Sequence, residues 1–204
     1  MELSHEIASD LLYIKAVQIR PDDYFTWTSG IKSPIYCDNR LTMAYPGIRN
    51  KIAYAFVQMI KAMDRKPDII AGCATAGIPH ALLVADKLDL PMVYVRSKPK
   101  GHGKENQIEG KLESGQLAVV IEDLISTGKS SIEAAKALQQ EGVHVLGVLA
   151  IFTYGLGKSS KLFSEAALDY KTITNYDDIL RLLKREGNIS ENKGKALQAW
   201  RDEL

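Results

Sequence analysis

Residues 119–131 read Val-Val-Ile-Glu-Asp-Leu-Ile-Ser-Thr-Gly-Lys-Ser-Ser. Val119 to Ile121 form the short apolar, β-branched run that suits the centre of a parallel sheet, and the charge of Glu122 and Asp123 predicts that the strand ends there. The two acids then sit at its carboxyl edge. Ser126, Thr127, Gly128, Lys129, Ser130 and Ser131 supply hydroxyls and closely spaced N–H groups just before a helical pattern of Ile132, Ala135, Ala137 and Leu138. A helix start of this kind binds phosphate through unpaired N–H groups and the positive end of the helix dipole. Strand, acid pair and donor turn together describe a site for a phosphorylated sugar. An ordinary strand-to-helix loop needs a capping Ser or Thr but not two neighbouring acids. The Gly128-Lys129-Ser130 ending imitates a nucleotide-triphosphate loop, yet Asp123 stands where that motif needs its first glycine.

Outward from this stretch, apolar strands alternate with helical patterns. Ile7, Leu11, Leu12, Ile14 and Ala16 follow helical spacing behind Ser4, a candidate cap, and predict an N-terminal helix that ends before Pro21. Phe25 to Tyr36 is aromatic and β-branched, broken by Ser29-Gly30 and Ser33-Pro34, which predicts two short strands around a turn and a small flap beside the core. Pro46 opens a helix with Ile48, Ile52, Ala55, Phe56, Met59, Ile60 and Met63 on one face. Strands follow at Asp68 to Ala71, Met92 to Val95, Leu117 to Ile121, Val143 to Ile151 and Tyr170 to Ile173, with helices between, then a helix at Asp177 to Lys184 and a polar C-terminal helix. Such alternation implies an α/β fold with a doubly wound, mainly parallel sheet, helices on both faces, and ligands at the carboxyl ends of the strands. Between the first of these strands and the helix Ile78 to Leu88, the small residues of Gly72-Cys73-Ala74-Thr75-Ala76-Gly77 would let backbone approach a ligand closely or serve only as a tight turn.

At 204 residues, 46% of them apolar, the chain suits one well-buried core and is short for two. The expected organisation is a single domain over 1–204: an N-terminal helix and flap over about 1–45, the core over about 46–185 and a C-terminal helix over about 186–204. A formal charge of +1 argues against the uniformly basic surface of a nucleic-acid binder. Cys37 and Cys73 match no metal or redox spacing and favour reduced thiols in a cytoplasmic protein. No segment approaches the length of a membrane span, and no basic stretch followed by an apolar run opens the chain.

From Arg96 to Leu112 the sequence loses apolar periodicity. Long connections of this kind are usually lids, binding loops or disordered segments. Arg96, Lys98, Lys100, His102 and Lys104 fall within nine positions, whereas Glu105, Glu109 and Glu113 come later. The first half is therefore a cationic arm, able to neutralise a polyanionic leaving group and to exclude water from it.

The paired-acid stretch resembles the 5-phosphoribosyl-1-diphosphate (PRPP) motif of type I phosphoribosyltransferases. Three further stretches resemble one branch of that family, the orotate phosphoribosyltransferases: Thr26 to Tyr36, Thr75 to Pro79, and Arg96 to Gly103 with its Lys-Gly-His-Gly core. The resemblance implies the type I phosphoribosyltransferase fold, with a small N-terminal flap or hood. It implies transfer of phosphoribose from PRPP to orotate, giving orotidine 5′-monophosphate and diphosphate, in pyrimidine synthesis. It further implies that Glu122 and Asp123 hold the ribose 2′- and 3′-hydroxyls, that Thr127 to Ser130 bind the 5′-phosphate within a PRPP stretch that includes Leu124, Ile125 and Ser126, and that Thr75 and Ala76 belong to the PRPP site. Arg96, Lys100 and His102 match lid residues for the diphosphate. Ser126, Lys32 and Tyr36 match orotate-binding positions. Asp123, Glu122, Lys100 and His102 are thereby the candidate catalytic residues. No protein cage for a metal is implied; Mg²⁺ comes with the substrate diphosphate. The family's lid, about Arg96 to Gly110 here, reaches the other subunit of a homodimer. Thr28, Ala76 and Tyr154 replace cations of the enterobacterial pattern, leaving Lys32 and Lys98 as candidate substitutes. The alternatives are a PRPP-sensing regulator of the same fold and a phosphoribosyltransferase for another nucleobase. Such regulators resembling repressors carry an N-terminal DNA-binding module, for which the roughly two dozen residues before the flap are too few.

Overall fold

The structure, a computed structural model, describes residues 2–26, 30, 32–97 and 107–204. Helix α1 (Glu2–Tyr13) leads into strand β1 (Val17–Ile19), and three further short strands follow: β2 (Phe25–Thr26), β3 (Lys32–Ser33) and β4 (Ile35–Cys37). β2 pairs with β3 and β1 with β4, both antiparallel, and these two ribbons form the flap. Ser4 lies inside α1 and does not cap it. Ala16, which the helical spacing includes, has already left that helix and is buried before β1. A 3-10 turn (Asn39–Ala44) then passes the chain to α2 (Pro46–Lys61), whose first turn accepts Pro46 because no N–H is needed there.

The core continues through β5 (Ile69–Cys73), α3 (Gly77–Leu88), β6 (Met92–Val95), β7 (Ile108–Glu109), β8 (Leu117–Ile125) and α4 (Lys129–Gln140). It closes with β9 (His144–Thr153), α5 (Gly157–Glu165), β10 (Tyr170–Asn175), α6 (Tyr176–Arg185) and α7 (Glu191–Asp202). Asn175 caps α6 by accepting from the Asp178 amide at 3.0 Å, and Asp177 and Asp178 begin that helix where its dipole favours acids. Six strands form one sheet in the order β10-β9-β8-β5-β6-β7, parallel except for the β7 edge. That edge strand lies within the stretch expected to be without regular structure, and Val95 paired with Ile108 accounts for it.

Alternation along the strands divides the core between two faces. Ile70, Val119, Ile121, Leu149 and Ile151 pack with α1, α2, α3 and α6, whereas Ile69, Ala71, Val120, Val148 and Ala150 pack with α4 and α5. Val119, Val120 and Ile121 are all fully buried, each contributing about 1.5–3 kcal/mol. After β5 the chain adds β6 on one side, then returns to add β8 on the other. Ligands of open α/β sheets gather at such a reversal, at the carboxyl ends of the two strands. No helix among the described residues is long and apolar enough to cross a membrane.

Candidate active site

The acid pair stands at the reversal point, though not at the end of its strand. β8 runs through Glu122 and Asp123 to Ile125, because β9 continues to pair with it: Glu122 lies opposite Ala150, Leu124 opposite Phe152 and Ile125 opposite Thr153. On the other side, pairing with β5 stops at Ile121. The acids are thus fixed by one neighbour where the other departs, with Asp123 half-buried and Glu122 buried behind it. Thr153 Oγ1 secures the last turn of the pair, donating to the Ile125 carbonyl at 2.9 Å.

Glu122 is 4% exposed and accepts from the Asp123 amide at 3.0 Å, Ser130 Oγ at 3.3 Å and Ser131 Oγ at 3.2 Å. Burial first, and then the neighbouring charge of Asp123, pushes its carboxyl up to about 8. Asp123 is raised as well, by burial, while hydrogen bonds from the backbone and Glu122 pull against the rise. Near neutral pH the pair therefore titrates as a unit and favours one charge over two. The Cys73 thiol beside Glu122 is raised well above its usual value by burial and then by that carboxylate, so it remains neutral. Cys37 and Cys73 are both buried free cysteines.

Past Ile125, half-buried Ser126 and Thr127 lead to Gly128, whose φ of +83° turns the chain into α4. A side chain at Gly128 would place Cβ 2.4 Å from Phe163 Cε2. No side chain caps α4 at Gly128, so its N–H groups face the turn that the sequence marks for phosphate. Lys129 and Ser130 are exposed at its mouth.

The loop Ala74 to Ala76 lies against the same strand. A Cβ on Gly77 would come within 2.5 Å of the Ile121 carbonyl oxygen, so glycine permits α3 to start there. Thr75 is exposed beside it. The Ala74 amide donates to the Val95 carbonyl at 2.9 Å, which joins this loop to the end of β6 and to Arg96. Arg96 is held through its backbone by Gln107 and lies 3.6 Å from Glu109; it lines one small cavity with Cys73 and Ser130. Lys98, Lys100, His102 and Lys104 lie outside the described residues, as does Thr28.

Lys32 is exposed on the flap, its Nζ donating to Thr26 Oγ1 at 2.8 Å, and its carbonyl accepts from Trp200 Nε1 of α7 at 3.2 Å. The Tyr36 ring is exposed and packs 5.6 Å from that of Phe25. Tyr154 is buried, close enough to Tyr36 and Asp123 to feel both, with a backbone hydrogen bond to Cys37. Burial raises its phenol well above the usual value and keeps it neutral, so the position offers a dipole where the enterobacterial pattern has a cation. Two residues absent from the sequence reading join the group. Asn39 Nδ2 donates to the Asp123 carbonyl at 2.7 Å, and Arg40, forked on Asp38 at 2.6 and 2.8 Å, lies within the fields of Tyr36 and Asp123. The polar run Asp38-Asn39-Arg40 directly after β4 was the available signal.

Comparisons with known proteins identify the family. The phosphoribosyl transferase domain family matches residues 44–181. The orotate phosphoribosyltransferase of Oceanobacillus iheyensis is 58% identical over 202 residues, covering 99% of this chain and 100% of that protein. That of Bacillus subtilis is 54% identical over 199 residues, covering 98% and 92%. Among solved structures, the orotate phosphoribosyltransferase of Aeropyrum pernix superposes with a TM-score of 0.76 at 25% identity, covering 90% of this chain and 99% of that one. The UMP synthase of Leishmania donovani gives 0.80 at 27% identity, with this chain covering 42% of its length. Near-full-length identity above one half, on a sheet whose reversal point carries the acid pair and the donor turn, makes this chain a member of the orotate phosphoribosyltransferase family.

Proposed function

We propose that the ends of β5 and β8, the N-terminus of α4 and the flap form the site at which this orotate phosphoribosyltransferase works. Its reaction transfers the 5-phosphoribosyl group from PRPP to orotate, giving orotidine 5′-monophosphate and diphosphate, in pyrimidine synthesis. The C1–O bond breaks with its electron pair leaving on diphosphate, a C1–N bond forms to the base, and the base nitrogen gives up its proton. Positive charge grows on the ribose ring while negative charge grows on the leaving group.

The observation that carries the assignment is the acid pair lying one turn before a helix N-terminus entered through a left-handed glycine. Glu122 and Asp123 take the ribose hydroxyls and face the growing positive charge. Thr127 to Ser130 bind the 5′-phosphate at the end of the PRPP stretch that begins at Leu124, with N–H groups and the helix dipole as its counter-charge. Thr75 and Ala76 present backbone to the diphosphate, and Arg96 with Lys100 and His102 neutralises it. Ser126, Lys32 and Tyr36 meet orotate. The donor set fits Mg²⁺ as a companion of the substrate, because the Glu122 oxygens already accept from Ser130, Ser131 and the Asp123 amide. Asp123 is the residue that would share its coordination, and the ion supplies neutralisation of the diphosphate charge.

In a two-fold dimer, the partner subunit's Lys100 completes the site. A tethered dimer carrying Lys100→Ala and Asp123→Asn in the same subunit loses activity if the arm crosses the interface and keeps about half if it does not. Base choice is tested by steady-state kinetics with orotate, uracil and a purine at saturating PRPP and Mg²⁺. Orotate is strongly preferred, since uracil leaves the donors for the missing carboxylate unpaired. Comparable efficiency with uracil overturns the assignment of the base site.

A further inference from the structure

Asn39, Thr42 and His80 have no part in the chemistry above, yet they form one buried chain of hydrogen bonds that ends on Asp123. All three are at most 1% exposed. Asn39 Nδ2 lies 2.7 Å from the Asp123 carbonyl oxygen; the opposite amide orientation would bring two oxygens to that distance, so the acceptor fixes the donor. Thr42 Oγ1 donates to the Asn39 carbonyl at 2.6 Å and lies 3.4 Å from His80 Nε2. A hydroxyl has one proton, spent here on Asn39, so Thr42 accepts from His80 and the imidazole carries its proton on Nε2. Burial favours that neutral ring, lowering its pKa to about 4.

The chain joins three parts of the site. Asn39 and Thr42 belong to the turn leaving the flap, Asp123 to β8, and His80 to the first turn of α3, just beyond the Thr75–Ala76 loop. Packing alone does not explain it. Among the described residues Asn39 Oδ1 and His80 Nδ1 are buried without a hydrogen-bond partner, and apolar side chains of similar size would fill the same space at lower cost.

We propose that Asn39 is a positioning residue that holds the main chain at Asp123, so that the carboxyl meets the ribose while the flap is in place. Thr42 and His80 in turn hold Asn39. The inference rests on the reading of Asp123 as the acid that serves the ribose. A double-mutant cycle on kcat tests it, with wild type, Asn39→Leu, Asp123→Asn and the double variant, each checked for cooperative melting above the assay temperature. Asn39→Leu is expected to lower kcat roughly 10- to 100-fold, as a small misplacement of a reacting group does. In the Asp123→Asn background the same change should cost almost nothing further. An equal loss in both backgrounds overturns the proposal, because Asn39 then acts independently of Asp123. Wild-type turnover in Asp123→Asn overturns the role of Asp123 itself, and the proposal with it. Should Asn39→Leu fail to fold, Thr42→Val and Thr42→Ser decide: serine keeps the hydroxyl and near wild-type kcat, valine loses at least severalfold, and equal kcat in the two refutes the chain.

Discussion

The half of the proposed site assigned to PRPP and the half assigned to the base are built differently. β8 lies between two parallel neighbours, its apolar residues buried on both faces, and its acids are bonded by α4 and by their own backbone. The flap has strands of two and three residues, and much of its anchoring comes from distant side chains. Trp200 reaches the Lys32 carbonyl, Lys193 reaches Asp22 at 2.5 Å, and Asn39 reaches Asp123. Groups that face charge in the transition state benefit from being fixed in advance, whereas a cover over the base must admit and release it. Local stability differs within the flap as well: β1 and β4 bury Val17, Ile35 and Cys37 in the core, whereas the described residues of β2 and β3 add nothing to it. The difference gives distinct kinetic signatures for damage in each half.

The largest effect is expected at Gly77, where the rigid half has no room. A Cβ there meets the backbone oxygen of Ile121, next to the acid pair, and a backbone atom cannot rotate away. Gly77→Ala should cost about 1–3 kcal/mol of stability and displace the Thr75–Ala76 loop. Denaturant melts report the first effect. In kinetics the KM for PRPP should rise more than that for orotate; equal rises would mean that the two halves are not separable.

A smaller effect belongs to the acid pair and is read by pH. Glu122 with its carboxyl near 8 loses its proton only above neutrality, and the carboxylate is the form that the proposed role beside the cationic ring requires. kcat/KM for PRPP should therefore fall as pH drops below about 8, by at most roughly tenfold per pH unit, and Glu122→Gln should flatten that limb. Stability runs the other way. The folded value lies above the unfolded one of about 4.5, so the protonated carboxyl contributes fully below 4.5 and its contribution is lost as pH rises through about 8. His80, lowered to about 4, has the opposite sign: its contribution is lost as pH falls from about 6.5 through 4. Between pH 6.5 and 8 the Glu122 slope stands apart, so denaturant midpoints should decline there in the wild type and less in Glu122→Gln. A flat profile for both activity and stability would place the Glu122 carboxyl in its ordinary range.

Much of the rigid half was legible in the sequence because its signals are local. Apolar runs marked the parallel strands, Pro46 marked a helix start, and the adjacent acids and donor turn lie within thirteen residues of one another. What escaped depends on partners distant in sequence. Charge at Glu122 predicts a strand end, but β9 keeps pairing to Ile125, and no local pattern reports that. The β7 edge is only two residues long. Asn39 and His80 look like surface polar residues until the fold buries them against Thr42 and Asp123. Trp200 sits in a helix whose sequence is mostly polar, with nothing nearby to announce contact with residue 32.

That contact gives the smallest and most selective prediction. The indole N–H donates to the Lys32 carbonyl, on the strand whose side chain is assigned to orotate, while the Trp200 ring packs toward Tyr176 at 6.3 Å. Trp200→Phe keeps an aromatic ring at that place and removes the donor. A neutral hydrogen bond of this kind contributes about 1 kcal/mol, or roughly fivefold in an equilibrium constant. If α7 steadies the flap, the loss should raise the KM for orotate by about that factor and leave the KM for PRPP and the melting temperature near wild-type values. Lys193→Ala, which breaks the Asp22 contact at the other end of the same helix, should act in the same direction but less, because that ion pair is exposed and worth little. A uniform fall in kcat with both KM values unchanged would show that α7 supports the fold as a whole and not the flap in particular. A rise confined to PRPP would place its influence on β8 and abolish the division between the two halves.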